Sequence, residues 1–339
     1  MARTGRGAGK RLTQTGIRTL NSPFLAGDEA ALLALARAVR ETGYQFVTVT
    51  PATHERVNRR RGNEWARTVA DVFGWSRPFK SHVLPEPLFE LAQRAGVVVA
   101  HDHGWRSLVR FSTLDGEIFI HSAYPTTDVA SVFFGPDTGR LVDAVLDHLE
   151  QRDSPVRRAV DIGCGTGAAA IAIAKRARAA DVLAVDINPA ALKATALNAS
   201  LVGVENVTAQ ASDMLGNVQG VFDLIVSNPP FMVDAAERAY RNGGGRLGAE
   251  LPLACVDAAI ERLAPGGSLV LFAGAVVTNG EIPFRDEAGR RLDAAGFAWS
   301  YRETDPDAYG EELDEPGYAE ADRIALGVLT AFKPMGALS

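Results

Sequence analysis

Apolar positions at the start of the chain follow a helical spacing. Residues Leu32–Val39 place apolar side chains at intervals of three and four, which predicts a helix over Asp28–Thr42. Two further helices are predicted over Pro51–Val72, a polar and arginine-rich stretch, and over Pro87–Ala95. The chain therefore begins, after its first residues, with a mostly helical unit.

Shorter runs follow in which the apolar residues are typical of strands. Strands are predicted over Val97–Ala100, Ser107–Ser112 and Glu117–His121. Leu114-Asp115-Gly116 predicts a hairpin turn between the last two, with Gly116 supplying a positive φ. Residues 21–125 thus predict a small helical domain that ends in a β-hairpin and serves substrate recognition.

From Phe133 onward, strand and helix patterns alternate. Helices are predicted over Asp137–Glu150, Thr166–Arg178, from Asn188-Pro189 onward, and over Pro252–Leu263. Strands are predicted over Ala159–Ile162, Val182–Asp186, Val207–Gln210, Phe222–Ser227, Ser268–Ala273, Ala298–Arg302 and Ile324–Phe332. Strands separated by helices predict a doubly wound α/β fold with a parallel sheet, here over residues 126–339. The last two strands have no helix between them and are expected to pair antiparallel.

Composition narrows the possible environments and partners. The 339 residues carry a formal net charge of -6, which argues against a wide nucleic-acid-binding face. Two cysteines, Cys164 and Cys255, make a disulfide framework improbable and fit a reducing cytoplasm. Residues 1–20 are basic without an apolar core, so we expect a flexible arm rather than a signal peptide. No apolar run reaches the roughly 20 residues that span a bilayer.

A glycine-rich turn follows the predicted strand Ala159–Ile162. Gly163, Gly165 and Gly167 allow the backbone to turn tightly and approach a ligand closely. Asp161 lies inside the strand end, which gives the pattern Asp-x-Gly-x-Gly-x-Gly. This pattern differs from the dinucleotide-binding Gly-x-Gly-x-x-Gly and suits a ligand that has an amino-acid tail and no pyrophosphate.

Two acids after the next strands complete the predicted cofactor site. Asp186 ends a strand about twenty residues further on, where a carboxylate can hold both hydroxyls of a ribose. Asp213 can accept a hydrogen bond from an exocyclic adenine amine, with Met214 against the ring. The ligand is therefore expected to carry an adenosine.

Asn228-Pro229-Pro230-Phe231 follows the strand Phe222–Ser227 and indicates the chemistry. Asn228 Oδ1 and the Pro229 carbonyl can both accept hydrogen bonds from one planar nitrogen, while Phe231 stacks on the group that carries it. The two prolines fix the backbone so that the carbonyl points inward. Directing the nitrogen lone pair at an electrophilic carbon would activate a poor nucleophile.

On these motifs the chain resembles the class I S-adenosylmethionine-dependent methyltransferases. The resemblance covers roughly Phe133–Phe332 and rests on the segments Val160–Gly167, Val185–Pro189, Ser212–Leu215 and Phe222–Phe231. It implies a Rossmann-like, seven-stranded sheet with a reversed last strand and S-adenosylmethionine as cofactor. The residues it implies for cofactor binding are Asp161, Gly163, Cys164, Gly165, Gly167, Asp186, Ile187, Asp213, Met214 and Asn228.

Within this family, Asn-Pro-Pro-Phe or Asn-Pro-Pro-Tyr resembles the enzymes that methylate nitrogen on planar groups. The resemblance implies that Asn228, Pro229, Pro230 and Phe231 form the catalytic turn. The helical front domain with its hairpin is similar in layout to the release-factor glutamine methyltransferases. This chain departs from them at Phe231, where they have Tyr, and at Phe134–Arg140, where they carry a Pro-Arg-Pro-x-Thr-Glu-like segment.

Two segments are expected to shape the substrate site. Tyr240–Gly248 is rich in glycine and carries arginines suited to a carboxylate. Asp305–Asp322 holds eight acids and no Lys or Arg, and topology places it at the ligand-binding edge of the sheet, where it would repel a phosphate backbone. The predicted substrate contacts are Asp137, Tyr240, Arg241, Arg246, Tyr309 and Glu311.

The leading hypothesis is a methyltransferase that acts on an amide, amine or guanidine nitrogen of a protein or small molecule. The alternatives are a nucleic-acid base methyltransferase, an enzyme that uses the same cofactor for other chemistry such as cyclisation, and a non-catalytic cofactor-binding scaffold. The basic arm and Arg59–Arg61 favour nucleic acid, whereas the net charge and the acidic segment oppose it. His101-Asp102-His103 offers too few ligands for a metal site, and none is predicted.

Overall fold

The computed structural model describes residues 22–126, 128, 130–234 and 241–335. The predicted flexible arm and the predicted substrate residue Tyr240 lie outside these ranges. Five helices open the described chain: α1 (Pro23–Ala26), α2 (Glu29–Glu41), α3 (Pro51–Asn58), α4 (Val69–Phe73) and α5 (Glu86–Arg94). Two antiparallel hairpins follow: β1 (Val98–His101) with β2 (Gly104–Ser107), and β3 (Val109–Leu114) with β4 (Glu117–Ser122).

Two predictions for this N-terminal unit were wrong in detail. The predicted helix Pro51–Val72 is two helices, because the polar run after Asn58 contributes no apolar face and Gly62 has a φ of +88°. Asn63 Nδ2 donates to the Val57 carbonyl at 2.7 Å and so closes α3. The predicted strand Ser107–Ser112 is broken at Leu108, and its first part belongs to a separate hairpin.

A second set of elements builds the central sheet and its flanking helices. They are α6 (Pro136–Glu150), β5 (Arg158–Ile162), α7 (Ala168–Arg176), β6 (Asp181–Asp186), α8 (Pro189–Val202), β7 (Val207–Ala211), β8 (Phe222–Ser227), α9 (Glu250–Arg262), β9 (Leu263–Val277), α10 (Pro283–Ala294), β10 (Ala298–Asp305) and β11 (Arg323–Phe332). Helix α10 was not predicted, and β9 extends beyond the predicted Ser268–Ala273 at both ends.

Within the described residues these strands form one seven-stranded sheet in the order β10-β11-β9-β8-β5-β6-β7. Strand β11 runs antiparallel to both of its neighbours, and the remaining pairs are parallel. The predicted doubly wound fold with a reversed last strand is therefore confirmed. Because β5, β6 and β8 are adjacent and parallel, the segments that follow them meet at one edge of the sheet.

Helix α8 joins the N-terminal unit to the sheet. Its buried apolar residues, among them Ala194 and Leu197, belong to the same core cluster as the N-terminal helices and hairpins. Buried Asn198 accepts from the Ile120 backbone N–H at 2.8 Å and donates to the carbonyls of Ile120 and Thr166. These contacts hold β4 against the end of the glycine turn, so the N-terminal unit is fixed relative to the sheet edge.

Within residues 22–126, 130–234 and 241–335, no helix combines the length and the apolar character needed to cross a bilayer.

Candidate active site

The glycine turn after β5 has the backbone conformation that the sequence pattern requires. Gly163, Gly165 and Gly167 have φ values of +71°, +54° and +77°, a region that side chains with a Cβ rarely adopt. At Gly167 a Cβ would also lie 2.7 Å from the Thr195 methyl group. The turn therefore depends on glycine for its shape, and it leads directly into α7.

Asp161 lies at the floor of this turn and is buried. Its Oδ2 accepts from the Ala170 backbone N–H at 3.2 Å, in the first turn of α7. Burial raises the pKa of the Asp161 carboxyl to about 7, and the nearby Asp186 adds to the rise, whereas the hydrogen bond from Ala170 opposes it. A cation placed against this carboxyl would favour its charged form.

Asp186 ends β6 and organises two backbone segments. Its Oδ2 accepts from Gly165 N at 3.0 Å and its Oδ1 from Asn188 N at 2.8 Å. Burial raises the pKa of Asp186, and these backbone hydrogen bonds act in the opposite direction. Each oxygen retains acceptor capacity for a ligand hydroxyl. The adjacent Ile187 is 63% exposed.

These residues line one cavity of about 210 Å³. Asp213 and Met214 border it, and Met214 has a φ of +46°. The described lining includes neither Lys nor Arg, so the cavity offers acids and apolar groups but no cation for a pyrophosphate. Its principal lining residues are Phe133, Asp161, Gly163, Cys164, Gly165, Asp186, Ile187, Asp213, Met214, Asn228, Pro229, Pro230 and Cys255.

The turn Asn228-Pro229-Pro230-Phe231 follows β8 at the same edge. Among the described residues, the half-buried Asn228 side chain has no hydrogen-bond partner, so its amide remains available to a ligand. The Phe231 ring packs against Gly274 of β9, where a Cβ would overlap the ring. It also lies 6.2 Å, between ring centroids, from Tyr309. Phe231 is thus held in place from two sides.

A second cavity, of about 90 Å³, also borders this turn. It shares Phe133 and Asn228-Pro229-Pro230 with the first cavity, so the turn forms a common wall. Its remaining walls come from four separate regions of the chain. They are Thr50 and Pro51, Pro136 and Asp137, Phe231 and Met232 with Arg241, and Tyr309.

The acidic segment after β10 supplies part of this second cavity. The Tyr309 hydroxyl donates to Asp137, which is 3% exposed and also accepts from Arg140 at 3.0 Å. Burial raises the pKa of Asp137, and the hydrogen bonds from Tyr309 and Arg140 oppose the rise. Arg140 reaches Asp305 at 3.0 Å as well. These contacts fasten the segment to the start of α6.

The predicted substrate arginines are already engaged within the chain. Arg241 pairs with Glu312 at 2.5 Å and with Asp234 at 3.6 Å, and it borders the second cavity. Arg246 is 82% exposed and pairs with Glu320 at 3.2 Å, away from the cavity lining. Glu311 is exposed and does not line the cavity either. Carboxylate binding by the arginines therefore stays a prediction.

Comparison with known proteins identifies the family. Residues 135–285 match the family model described as the methyltransferase small domain. The chain is 30% identical, over 215 residues, to the release factor glutamine methyltransferase of Deinococcus radiodurans; the match covers 58% of this chain and 76% of that protein. The chain is a class I S-adenosylmethionine-dependent methyltransferase.

Two further relatives match shorter stretches of this methyltransferase. The release factor glutamine methyltransferase of Bradyrhizobium diazoefficiens is 34% identical over 152 residues, 41% of this chain and 51% of that protein. The ribosomal protein L11 methyltransferase of Thermotoga neapolitana is 38% identical over 113 residues, 33% of this chain and 36% of that protein. The chain thus spans about half or less of the length of these two relatives.

Sequence reasoning did not anticipate several lining residues of the methyltransferase. Phe133 borders both cavities, whereas the sequence analysis identified it only as the residue from which strand and helix patterns alternate. Thr50 and Pro51 belong to the N-terminal unit and have no chemical signature. Cys255 lies in α9, where it packs as an apolar residue, and burial raises its pKa to about 12. The sequence marks Thr50 and Pro51 only by a helix-capping pattern, which indicates the start of α3 and not a place in a cavity.

Proposed function

We propose that this methyltransferase transfers a methyl group to a planar nitrogen, of the amide, amine or guanidine type, on a protein substrate. The observation that carries the proposal is the wall shared by the two cavities. Asn228-Pro229-Pro230 lines both a cavity bordered by acids and a small cavity lined by Phe231 and Tyr309. A nitrogen in the second cavity would therefore lie beside the same turn as a methyl donor in the first.

S-adenosylmethionine fits the first cavity in its chemistry, and it supplies an electrophilic methyl group when bound. We assign Asp161 to its cationic amino-acid tail, Asp186 to the ribose hydroxyls, and Asp213 with Met214 to the adenine. Gly163, Cys164, Gly165 and Ile187 complete the proposed contacts. Gly167 acts by shaping the turn rather than by lining the cavity.

Asn228 and the Pro229 carbonyl are proposed to accept the N–H groups of the acceptor nitrogen. Both acceptors lie at the wall, and the prolines limit the motion of the carbonyl. The nitrogen lone pair forms the new N–C bond, the electrons of the broken C–S bond remain on sulfur, and the nitrogen then releases a proton to solvent. Positioning in this way accelerates the reaction without a strong base.

Phe231, Tyr309 and Asp137 are proposed to hold the acceptor group. Both rings line this cavity, with their centroids 6.2 Å apart and their planes at 54° to each other. Because Thr50 and Pro51 reach the same cavity, we assign substrate recognition in part to residues 21–125, with residues 126–339 as the catalytic domain.

A protein substrate is favoured over nucleic acid by the charge around the second cavity. Asp137 lines it, and Glu312 and Asp305 neutralise the nearby arginines, so no unpaired cation is offered to a phosphate in the described lining. The relatives named above act on a release factor and on a ribosomal protein.

The test is methyl transfer from radiolabelled S-adenosylmethionine to a lysate fractionated into protein, RNA and small molecules. The proposal predicts label that is removed by protease and not by ribonuclease. Acid hydrolysis of the labelled protein would release methylamine from an amide but not from a methylated amine. Label in RNA alone would contradict the proposed substrate class while leaving the cofactor assignment intact.

A further inference from the structure

Residues 44–50, between α2 and α3, have the composition of a strand, yet within the described chain they belong to no sheet. Their sequence, Tyr-Gln-Phe-Val-Thr-Val-Thr, is rich in aromatic and β-branched residues and carries no charge. Burial alternates along this segment: Tyr44, Phe46 and Thr48 are buried, whereas Gln45 and Val47 are exposed. A period of two is that of an extended backbone with one face against the core.

The inner edge of the 44–50 segment is fixed to β3. The Phe46 N–H donates to Thr113 Oγ1 at 3.3 Å, and the Phe46 carbonyl accepts from the Thr113 N–H at 2.8 Å. The Tyr44 hydroxyl donates to the Phe111 carbonyl at 2.9 Å. The Phe46 ring also packs against Gly74, where an added Cβ would overlap it. The segment is therefore held in its extended form by the fold itself.

The outer edge of the 44–50 segment is free. The N–H and C=O groups of successive residues in an extended chain point to opposite edges, so those of Gln45, Val47 and Val49 point away from β3. In the part of the chain that the structure describes, none of these backbone groups has a hydrogen-bond partner. Val47 is 76% exposed, so this edge is open to solvent. Exposed edges are usually protected by charged residues or proline, and residues 44–50 contain neither.

The free edge leads to the acceptor cavity. Thr50 and Pro51, which follow it directly, line the small cavity beside Asn228-Pro229-Pro230. A strand rises about 3.3 Å per residue, so Val47 lies about 10 Å from Thr50. We propose that an extended segment of the substrate protein pairs with the backbone of Val47 and Val49 and so places the acceptor residue in this cavity. Such pairing rests on the proposed function, because it requires a protein substrate.

The chemistry of the edge selects an extended polypeptide as its partner. Backbone donors and acceptors that alternate along an edge are matched by a second extended backbone, whereas a helix uses these groups internally. The main-chain hydrogen bonds supply affinity, and the side chains of Val47 and Val49 contact the residues opposite them. The position beside the acceptor cavity favours the substrate over a second copy of this chain, whose pairing would need no such cavity. The methylated residue should therefore lie in a loop or terminus that can become extended.

Val47→Pro tests the pairing. Proline removes the Val47 N–H and places its ring on the free edge, while Phe46 keeps its hydrogen bonds to Thr113. With the protein that accepts label, purified from the lysate, kcat/KM should fall at least about tenfold. The affinity for S-adenosylmethionine should stay unchanged. Val47→Ala keeps the N–H and should lose less activity than Val47→Pro.

Glu205→Pro is the matched control. Glu205 is exposed, and its N–H has no partner among the described residues. It lies two residues after Gly203, which ends α8, a position where proline is common. This variant should have the kcat/KM of wild type, so a loss confined to Val47→Pro belongs to the free edge.

A synthetic peptide that spans the methylated residue gives a second measurement, on the wild-type enzyme. Methyl groups placed on backbone nitrogens of the peptide, one at a time, should raise KM at every second residue of the paired stretch, because one edge of an extended strand carries alternate N–H groups. A tolerance without this period would overturn the pairing, and the peptide series decides if Val47→Pro does not fold.

The outcomes separate the pairing from the proposed function. Wild-type enzyme that puts no label into protein would overturn the proposed function and the pairing together. If protein is labelled, an unchanged kcat/KM in Val47→Pro would overturn the pairing and leave the proposed function standing. A dimer of wild type that becomes a monomer in Val47→Pro, measured by light scattering, would assign the edge to a second copy of the chain and would also overturn the pairing with substrate.

Discussion

Replacing Asp161 by asparagine is expected to stabilise the protein above pH 7 and to leave it almost unchanged near pH 4. The carboxyl is buried at the end of β5, and burial raises its pKa from the ordinary value of 3.8 to about 7. Between these two pH values the folded protein holds a proton that the unfolded chain has released. Asparagine is neutral throughout, and its carbonyl oxygen can still accept from the Ala170 N–H.

The size and sign of the effect follow from this proton. Because the folded state binds more protons, wild-type stability falls as pH rises, by about 1.4 kcal/mol per pH unit across this window, and levels off above pH 7. The total is about 4 kcal/mol, as an order of magnitude, for a carboxyl whose pKa rises to about 7. Asp161→Asn has no carboxyl to titrate here, so its free energy of unfolding, relative to that of wild type, increases over the same pH range.

Urea unfolding between pH 4.5 and 8.5 would measure this difference. Asp181→Asn is the matched control, since Asp181 lies at the exposed start of the neighbouring strand β6, paired with Arg158 at 3.6 Å. The difference in unfolding free energy between Asp181→Asn and wild type should vary little with pH. If the difference in unfolding free energy between Asp161→Asn and wild type is equally independent of pH, then the buried carboxyl titrates as it does in the unfolded chain and its pKa is not raised by burial.

Two further substitutions test the two cavities separately. Asp186→Ala removes an acceptor for two backbone N–H groups as well as the proposed ribose contact, so affinity for S-adenosylmethionine should fall by about 100-fold or more in calorimetry. Gly274→Ala would force the Phe231 ring to move, so it should lower kcat at least about tenfold and leave the affinity for the cofactor unchanged. The control is Gly310→Ala, where no atom lies within 4 Å of the added Cβ, and its kcat should equal that of wild type.

The sheet was predictable because its elements carry local signals. The glycine turn, the acids that end β5 and β6, and the turn after β8 each follow a buried strand, and parallel strands bring such segments to one edge. Helix α10 was missed since its sequence is mostly polar, although its buried residues Phe284, Ala288 and Leu292 do recur at helical spacing. The single helix predicted over Pro51–Val72 was wrong because its polar, arginine-rich composition does not mark the break between α3 and α4, where Gly62 has a φ of +88°.

The second cavity was only partly predictable, since its walls come from distant parts of the sequence. Tyr309 and Asp137 are 172 residues apart, and no local pattern indicates that one donates to the other. The arginines of the loop after Asp234 were expected to be available for a substrate. Arg241 instead pairs with Glu312, a contact that depends on how the acidic segment folds back over the turn. Topology gave the position of that segment but not its pairing.

Asn228 is proposed to orient the acceptor nitrogen, and its replacement by alanine tests this role directly. The rate of single-turnover methyl transfer to the protein fraction that accepts label should fall at least about 100-fold in Asn228→Ala. Removal of one positioned polar group from the active site of other enzymes has an effect of this size. Its affinity for S-adenosylmethionine should stay within a few-fold of wild type, and Asn217→Ala, at an exposed asparagine outside both cavities, should be fully active. A wild-type rate in Asn228→Ala would show that Asn228 does not orient the acceptor nitrogen.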